Sequence, residues 1–346
     1  MSEGDLPLVH FGGPDRPSRY LRQLLRDRIE QQPPGAEIIW ATYYFRDRDL
    51  ADCLIAAHDR GVRVVLHVEG RPRRKSVNDA VIARLRAQGL GGGLHVHEPA
   101  PWLPSGIHPH LHSKIYAFSH PRPSVLVGSF NPSGDIPEDS EVIAEIGNQD
   151  RGHNMLVELH EPGLVGALGD HVRALGDSAL RLHPRQNRPV VGESATAWFY
   201  PRLCPNVIDH RLAGLGDGDR VSGAISHLKA GPLTAALISG ARSGASIRLI
   251  VHDTVRRVPE AIITELSEAG VDIARYAHAE GFPLHAKFLI VARKAAQTAW
   301  FGSFNHNSRS RWLNHEILLA SEHPAIVTSL ARRFDEIAAE VALQKV

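Results

Sequence analysis

Apolar and polar positions alternate between strand-like and helix-like spacing along the chain. Residues 37–45 (EIIWATYYF) are apolar, β-branched and aromatic, which is typical of a strand. Residues 49–61 (DLADCLIAAHDRG) carry apolar positions at helical spacing and end on Gly61, a residue suited to the position after a helix. Residues 62–70 (VRVVLHVEG) predict a second strand. Such units imply parallel pairing with right-handed crossovers. The same order is predicted in the second half at residues 220–228, 232–244 and 245–253.

A longer motif occurs twice. Residues 111–131 read LHSKIYAFSHPRPSVLVGSFN, and residues 284–305 read LHAKFLIVARKAAQTAWFGSFN. The His and Lys of the two copies are 173 positions apart, and the closing Asn residues are 174 apart. This register indicates a duplication rather than a chance match. The paired residues are His112 with His285, Lys114 with Lys287, Ser129 with Ser303, and Asn131 with Asn305.

These repeats predict an α/β fold of two similar halves, each a mixed β-sheet flanked by helices, packed with pseudo-two-fold symmetry. We expect the first half at residues 1–180 and the second at residues 195–346, joined near the Pro-containing polar stretch 183–194. The His-x-Lys and Gly-Ser-Phe-Asn motifs occupy 112–114 and 128–131 in the first half, and 285–287 and 302–305 in the second.

Composition narrows the choice of function. The 346 residues include 39 Lys+Arg and 38 Asp+Glu, so the net charge is +1 and the pI is about 8.0. This balance argues against a broad basic surface for nucleic acid, although local basic patches remain compatible with it. Cys53 and Cys204 lack the spacing of a disulfide scaffold or a structural zinc site.

The N-terminal sequence MSEGDLPLVHFGG has neither a basic segment nor an apolar segment of a signal peptide. No apolar run approaches the length of a membrane-spanning helix. We therefore expect a cytoplasmic protein.

The duplicated side chains suit a phosphate group. A His and a Lys two positions apart on a strand point to the same face, so each half offers an imidazole beside an ammonium group. Gly-Ser-Phe-Asn at the end of the next strand adds a hydroxyl and an amide. If the halves meet, one imidazole can attack phosphorus while the other protonates the leaving oxygen. Positioning and charge stabilisation are then supplied without a metal or other cofactor.

With these two motifs the sequence resembles the phospholipase D superfamily, whose hallmark is a duplicated His-x-Lys motif followed by Gly-Ser-x-Asn. The stretch GSFNHNSRSRWLNHE (302–316) is similar to the extended pattern of that family. The resemblance covers most of the chain. It implies that His112 and His285 act as nucleophile and general acid through a covalent phosphohistidine. It also implies that Lys114, Lys287, Asn131 and Asn305 hold the phosphate oxygens, and that Ser129 and Ser303 line the pocket.

The chain departs from that family at one position of each motif. The Asp that usually follows His-x-Lys is replaced by Ser119 in the first copy and by Ala292 in the second. The tyrosyl-DNA phosphodiesterase branch also lacks this Asp while keeping His, Lys and Asn. The departure leaves the substrate class open, and a catalytically inactive relative is an alternative.

The halves differ near their ends in a way that predicts roles. The aligned stretches 153–168 and 315–330 place Asn154 opposite Glu316. A carboxylate raises the pKa of a neighbouring imidazole, so we expect Glu316 to serve His285 as general acid, with His112 as nucleophile. The alternative is that Glu158 or Glu145 serves His112.

Other residues have two interpretations each. His108, His110 and His112 alternate, so they would suit a zinc ion, but we favour His108 and His110 at the mouth of the same pocket. Trp102, in the Gly- and Pro-rich stretch 89–106, either contacts substrate or packs that loop. The basic runs are either solvated loops or an anion-attracting rim; they comprise residues 70–76 and the pair Arg256–Arg257.

The sequence thus predicts a phosphodiesterase or phosphatidyltransferase of the phospholipase D type. A phospholipid-type substrate is favoured, because a near-zero net charge suits a non-specific nuclease poorly. The alternatives are a nuclease or DNA-end-processing phosphodiesterase and a non-catalytic phosphate-binding relative. Hydrolysis and transfer are not distinguished. Peripheral membrane contact is compatible with this function. No obligate protein partner is implied, because one chain supplies both motifs.

Overall fold

Two mixed β-sheets, one from each half of the sequence, organise the molecule. The computed structural model describes residues 6–74, 76–98, 107–132, 147–175, 188–294 and 296–344. The first sheet has strands β1 (Leu8–Gly12), β2 (Glu37–Thr42), β3 (Arg63–Glu69), β4 (Leu94–His97), β5 (Ile115–Phe118), β6 (Ser124–Gly128) and β7 (Asn154–Leu159). The second has β8 (Val190–Val191), β9 (Thr196–Tyr200), β10 (Arg220–Ile225), β11 (Ser246–His252), β12 (Asp272–Tyr276), β13 (Lys287–Arg293), β14 (Ala296–Gly302) and β15 (Glu316–Ser321).

The two sheets have the same strand order, apart from β8, which adds an eighth strand at the edge of the second sheet. The first reads β1-β7-β6-β5-β2-β3-β4, and the second reads β8-β9-β15-β14-β13-β10-β11-β12. In each, the last three strands are parallel, and the first of these pairs antiparallel with the strand that follows the His-x-Lys motif. The predicted mixed α/β architecture of two similar halves is therefore confirmed. The proposed boundaries at residues 180 and 195 stay a prediction.

Helices cover both sheets. Those of the first half are α1 (Tyr20–Glu30), α2 (Arg48–Asp59), α3 (Asp79–Ala87) and α4 (Pro162–Arg173), with a short 3₁₀ turn at Gly91–Gly93. Those of the second half are α5 (Val207–Leu212), α6 (Pro232–Arg242), α7 (Glu260–Glu268), α8 (Ser308–Trp312) and α9 (Pro324–Leu343). Within the described ranges, no helix combines the length and the apolar composition that crossing a bilayer requires.

The predicted strand–helix–strand units are confirmed, and their local causes are visible. The Asp47 carboxylate accepts a hydrogen bond from the backbone N–H of Leu50 and so begins α2. After α2, Gly61 adopts a φ of +90°, as expected for the residue that follows a helix. β2 then pairs in parallel with β3.

The hydrophobic core has three layers. Ile38 and Trp40 of β2 face an outer cluster that α1, α2 and α3 cover, while Ile39 and Ala41 face a cluster between the two sheets. An equivalent outer cluster lies on the second sheet, under α5, α6 and α7. The middle cluster contains residues from both sheets and from α4 and α9, so the halves share one core. This shared core holds the ends of the two sheets in register.

We expect Leu330→Ala in α9 to destabilise both halves together. Leu330 is fully buried in the shared core, and such a truncation costs about 2–5 kcal/mol through lost burial and the cavity left behind. Thermal unfolding followed by circular dichroism checks this, with the exposed Arg332→Ala in the same helix as control. Equal melting temperatures for the two variants would contradict the shared core.

Candidate active site

The first His-x-Lys segment is held by the second half. Leu111 forms a parallel bridge with His315, just before β15. The backbone N–H of His112 donates to the carbonyl of His315 at 2.9 Å, and the N–H of His315 donates to the carbonyl of His110 at 2.8 Å. Neither His112 nor Lys114 lies within β5, which begins at Ile115.

The second His-x-Lys segment is held by the first half in the same way. Leu284 forms a parallel bridge with His153, just before β7. The N–H of His153 donates to the carbonyl of Pro283, and the N–H of His285 donates to the carbonyl of His153, both at 2.9 Å. Each motif segment therefore pairs with the backbone of the other half. We call this arrangement the crossed pairing.

The crossed pairing decides which side chain meets which imidazole. The His112 ring nitrogen Nδ1 lies 2.8 Å from Oε2 of Glu316, the first residue of β15. Because an ionised carboxylate only accepts, Nδ1 of His112 is the donor. Glu316 is fully buried, and its carboxylate also accepts hydrogen bonds from the hydroxyls of Ser303, at 2.6 Å, and Ser310.

An amide replaces the carboxylate in the other half of the site. Nδ1 of His285 lies 2.9 Å from Oδ1 of Asn154, the first residue of β7. The Asn154 amide nitrogen donates to the carbonyl of Gln149 at 2.8 Å, which turns Oδ1 toward His285 as the acceptor. The hydroxyl of Ser129 donates to the same oxygen at 3.1 Å.

The sequence-based pairing of Glu316 with His285 is wrong. The carboxylate serves His112, because the crossed pairing brings β15 of the second half beside the first motif. Glu158, the alternative partner of His112, instead contacts His10 and Arg28 at 3.0 and 2.7 Å. Glu145 lies outside the described residues.

Ser129 and Ser303 also differ from their expected position. Both are fully buried and are absent from the described cavity lining. Each hydroxyl accepts a hydrogen bond at 3.1 Å from a backbone N–H in the next strand, Met155 for Ser129 and Ile317 for Ser303. The expectation that these serines line the pocket is corrected: they orient Asn154 and Glu316 from behind.

The two lysines have matching environments behind the imidazoles. Nζ of Lys114 donates to the carbonyl of His112 at 2.6 Å, and Nζ of Lys287 donates to the carbonyl of His285 at 2.8 Å. Burial lowers the pKa of Lys114 to about 7. Burial, together with the charges of Lys114 and Arg257, holds the pKa of Lys287 well below its ordinary value. Both ammonium groups are thus poised to gain from a neighbouring anion.

A cavity of about 560 Å³ contains both imidazoles in its wall. Nδ1 of each ring is occupied, and no described residue forms a hydrogen bond with either Nε2, so this nitrogen is the available one. The remaining lining residues are His108, His110, His227, Tyr43, Tyr44, Arg71, Pro72, Arg73, Gln149, Lys229, Arg256, Arg257, Asn305, Asn307, Arg309, Ser310 and Asn314.

The other predicted site residues are placed in different ways. His110 and Asn305 line the cavity, and the amide oxygen of Asn305 has no hydrogen-bond partner among the described residues. Asn131 lies deeper, where its amide oxygen accepts from the backbone N–H of Tyr44 at 3.3 Å. Trp102 lies outside the described residues. His108 lines the cavity, and no group of three or more His, Cys, Asp or Glu in the described ranges is arranged to hold a metal ion.

Burial lowers the pKa of both imidazoles, so both rings are neutral near pH 7. Burial lowers the pKa of His112 to about 4, even though Glu316 acts in the opposite direction. Burial and the charges of Lys287, Arg257 and Lys114 hold the pKa of His285 well below its ordinary value. Burial alone would raise the pKa of Glu316, but its interactions with His112 and Lys114 and the hydrogen bond from Ser303 lower it. The carboxylate therefore stays ionised.

Sequence reasoning missed Tyr43, Tyr44 and His227. Tyr43 and Tyr44 directly follow β2, and His227 lies two residues after β10, at the carboxyl ends of strands, where ligands gather in such sheets. The Tyr43 ring lies 4.8 Å from the His112 ring and 5.3 Å from Nζ of Lys114. The predicted strands 37–45 and 220–228 included these residues, so the sequence did not show that they lie beyond the strand ends.

Comparison with known proteins places the chain in a family. The family described as "Cardiolipin synthase, PLD-like domain" matches residues 26–149 and 218–338, once in each half. The chain belongs to the phospholipase D superfamily. Over 113 residues it is 34% identical to cardiolipin synthase A of Yersinia pestis, a match covering 31% of this chain and 22% of that protein. The match thus spans about a fifth of this curated relative's length.

Two solved structures share the fold of this chain. Phosphatidylserine synthase from Haemophilus influenzae Rd KW20 gives a TM-score of 0.66 at 11% identity, over 96% of this chain and 86% of that one. Polyphosphate kinase from Porphyromonas gingivalis gives 0.63 at 13% identity, over 97% of this chain and 51% of that one. At these identities the likeness concerns the fold alone.

We expect anion affinity to fall as pH rises through the titration of Lys114. With a pKa of about 7, this ammonium is charged below that pH and loses its proton above it. Dimethyl phosphate keeps one negative charge between about pH 6 and pH 9. Its dissociation constant, measured by calorimetry over this range, therefore reports changes in the charge of the protein. In Lys114→Gln the change centred near pH 7 should be missing. An equally steep change at that pH in the variant would contradict the assignment.

Proposed function

We propose that the chain is a phosphodiesterase or phosphatidyltransferase of the phospholipase D type, with His112 as nucleophile and His285 as general acid. The observation that carries this proposal is the placement of both imidazoles in one cavity wall, each with Nδ1 held and Nε2 available. A binding protein would gain little from two imidazoles oriented in this way.

In the first step, Nε2 of His112 uses its lone pair to form a bond to phosphorus. The bond between phosphorus and the leaving oxygen breaks, and that oxygen takes the proton from Nε2 of His285. In the second step, neutral His285 removes a proton from water or an alcohol, whose oxygen then bonds to phosphorus. The bond between phosphorus and His112 breaks, and both imidazoles return to their starting states.

The carboxylate supports His112 as the nucleophile. A phosphorylated imidazole with a proton on Nδ1 carries a positive charge, and Glu316 is placed to neutralise it. His285 has only a neutral amide, so its charged form depends on the negative charge of bound substrate. Because Lys287, Arg257 and Lys114 disfavour that charge, the imidazolium gives its proton readily to a leaving oxygen.

For the substrate we propose a phospholipid-type phosphodiester. Support comes from the family match, which spans both halves and is described for cardiolipin synthases, and from the name of the matching Yersinia protein. The cationic cavity wall favours one second candidate, a nucleic-acid phosphodiester. In either case, positioning and charge stabilisation by the chain's own residues supply what the reaction needs.

We expect His285→Asn to trap the covalent phosphohistidine and His112→Asn to prevent it. Bis(p-nitrophenyl) phosphate has a leaving group that needs no protonation, so the first step can proceed without His285. The second step then stalls for lack of a base. With chelator present, stopped-flow absorbance should show a burst equal to the enzyme concentration in His285→Asn and no burst in His112→Asn.

A burst retained only in His112→Asn would reverse the two roles. Absence of turnover in the unmodified protein, with unchanged phosphate binding in both variants, would favour a non-catalytic phosphate-binding protein. The same assay extended to phosphatidylcholine, cardiolipin, single-stranded DNA and RNA separates the lipid substrate from the nucleic-acid substrate.

A further inference from the structure

A buried arginine in the last helix contacts both halves of the molecule. Arg333 lies in α9, and its side chain is 1% exposed. Its guanidinium donates to the Asp15 carboxylate at 2.6 and 2.8 Å and to the carbonyl of Gly12 at 3.1 Å, both at the end of β1 in the first half. It also donates to Glu336 of its own helix at 2.8 Å. Because a buried guanidinium is costly unless its donors are matched, these contacts fix α9 against the first half.

The same guanidinium reaches the segment that holds the second motif. Nη2 of Arg333 donates to Nδ1 of His153 at 2.8 Å. Because a guanidinium only donates, Nδ1 of His153 is the acceptor and Nε2 carries the proton. This Nε2–H donates to the Glu340 carboxylate at 3.0 Å, and the Tyr276 hydroxyl donates to the other oxygen of Glu340 at 2.6 Å. Burial lowers the pKa of His153, although Glu340 acts in the opposite direction, so the ring is neutral near pH 7.

His153 is the residue through which the first half holds His285. Its backbone N–H donates to the carbonyl of Pro283, and its carbonyl accepts from the N–H of His285, both at 2.9 Å. The next residue, Asn154, supplies the oxygen that lies 2.9 Å from Nδ1 of His285. A shift of His153 would therefore move the backbone contact and the ring contact of His285 together.

The chain leaves room for the contact between Arg333 and His153 at Gly13. A Cβ atom at this position would lie 2.2 Å from Nη2 of Arg333, 2.6 Å from Oδ1 of Asp15 and 3.0 Å from Nδ1 of His153. The first two distances are too short for non-bonded atoms. Glycine thus allows the close approach of the backbone, and any other residue would displace the guanidinium or the chain.

The equivalent position in the first half carries a different side chain. His171 of α4 and Arg333 of α9 each lie nine residues after the proline that begins their helix. The ring of His171 stacks on Phe199 of β9, with ring centroids 3.6 Å apart. The guanidinium therefore belongs to the side of the site that holds His285.

We propose that Arg333 is a positioning residue: by holding His153, it keeps His285 at the distance from the leaving oxygen that proton transfer requires. This inference rests on the proposed function, because it needs His285 to be the general acid. Proton transfer demands hydrogen-bond reach, so a small displacement of the ring lowers its rate steeply. Bond formation between His112 and phosphorus does not use His285. Loss of Arg333 should therefore affect the steps in which His285 moves a proton.

The test compares two phosphodiesters whose leaving oxygens differ in their need for a proton. Bis(p-nitrophenyl) phosphate releases a stable p-nitrophenolate, whereas the phenolate from diphenyl phosphate is more basic and needs protonation. The rate constant of the first step is measured for each by stopped-flow absorbance with enzyme in excess. In Arg333→Met we expect it to fall at least about tenfold for diphenyl phosphate and less than about twofold for bis(p-nitrophenyl) phosphate.

Two further variants make the comparison specific. Gly13→Ala keeps every polar group of the contact but displaces the guanidinium, so it should show the same selective loss. Arg22→Met removes another buried arginine, which pairs with Asp47 and Asp49 at the start of α2. It should change both rate constants equally or leave both unchanged. If Arg333→Met does not fold, Gly13→Ala and Arg333→Lys decide by the same ratio of rate constants.

Equal losses with the two substrates, or no loss with either, would overturn the inference and leave Arg333 a merely structural residue. His285→Asn separates this failure from failure of the proposed function. If His285→Asn also keeps the first step with diphenyl phosphate, His285 is not the general acid, and the proposed function is wrong on that point. A selective loss in His285→Asn without one in the Arg333 and Gly13 variants would overturn the positioning role alone.

Discussion

The crossed pairing is the constraint on which the site depends. Each His-x-Lys segment begins before its own strand and hydrogen-bonds to the segment that enters β7 or β15 of the other half. Neither half can therefore present a held imidazole alone, because the acceptor for Nδ1 comes from across the interface. The shared core between the sheets, which includes α4 and α9, keeps these short backbone contacts in register. Duplication supplied two similar halves, and the crossed pairing turns them into one cavity.

The two halves of the site are nearly symmetric, but one difference distinguishes the environments of the two imidazoles. Glu316 and Asn154 begin equivalent strands and are held by equivalent serines, Ser303 and Ser129, yet one carries a charge and the other does not. A buried carboxylate favours the positive form of its neighbouring imidazole whether or not a ligand is bound, whereas a buried amide leaves that stabilisation to the ligand. The described cavity wall carries six Lys and Arg side chains, which favour an anionic ligand.

Much of the fold could be predicted from the sequence, because the fold depends on local patterns of residues. The strand–helix–strand units follow from apolar spacing, and the duplication follows from the repeated His, Lys and Asn. The partner of each imidazole could not be read, because Glu316 and His112 are 204 positions apart and nothing local distinguishes pairing within a half from pairing between halves. The serines were misplaced for a related reason: a motif shows which residues recur, but the cavity's position decides which of them face the ligand. Tyr43 and His227 were missed because residues after a strand gain meaning only from the sheet order.

Nuclear magnetic resonance of the ring nitrogens of His112 and His285 tests the crossed pairing most directly. In Glu316→Gln, loss of the carboxylate should lower the pKa of His112 and change its ring-nitrogen shifts, while those of His285 stay as they are. In Asn154→Asp, the new carboxylate should raise the pKa of His285 and leave His112 nearly unchanged. If Glu316→Gln instead altered His285 and spared His112, each half would be serving its own imidazole, and this account of the site would be wrong.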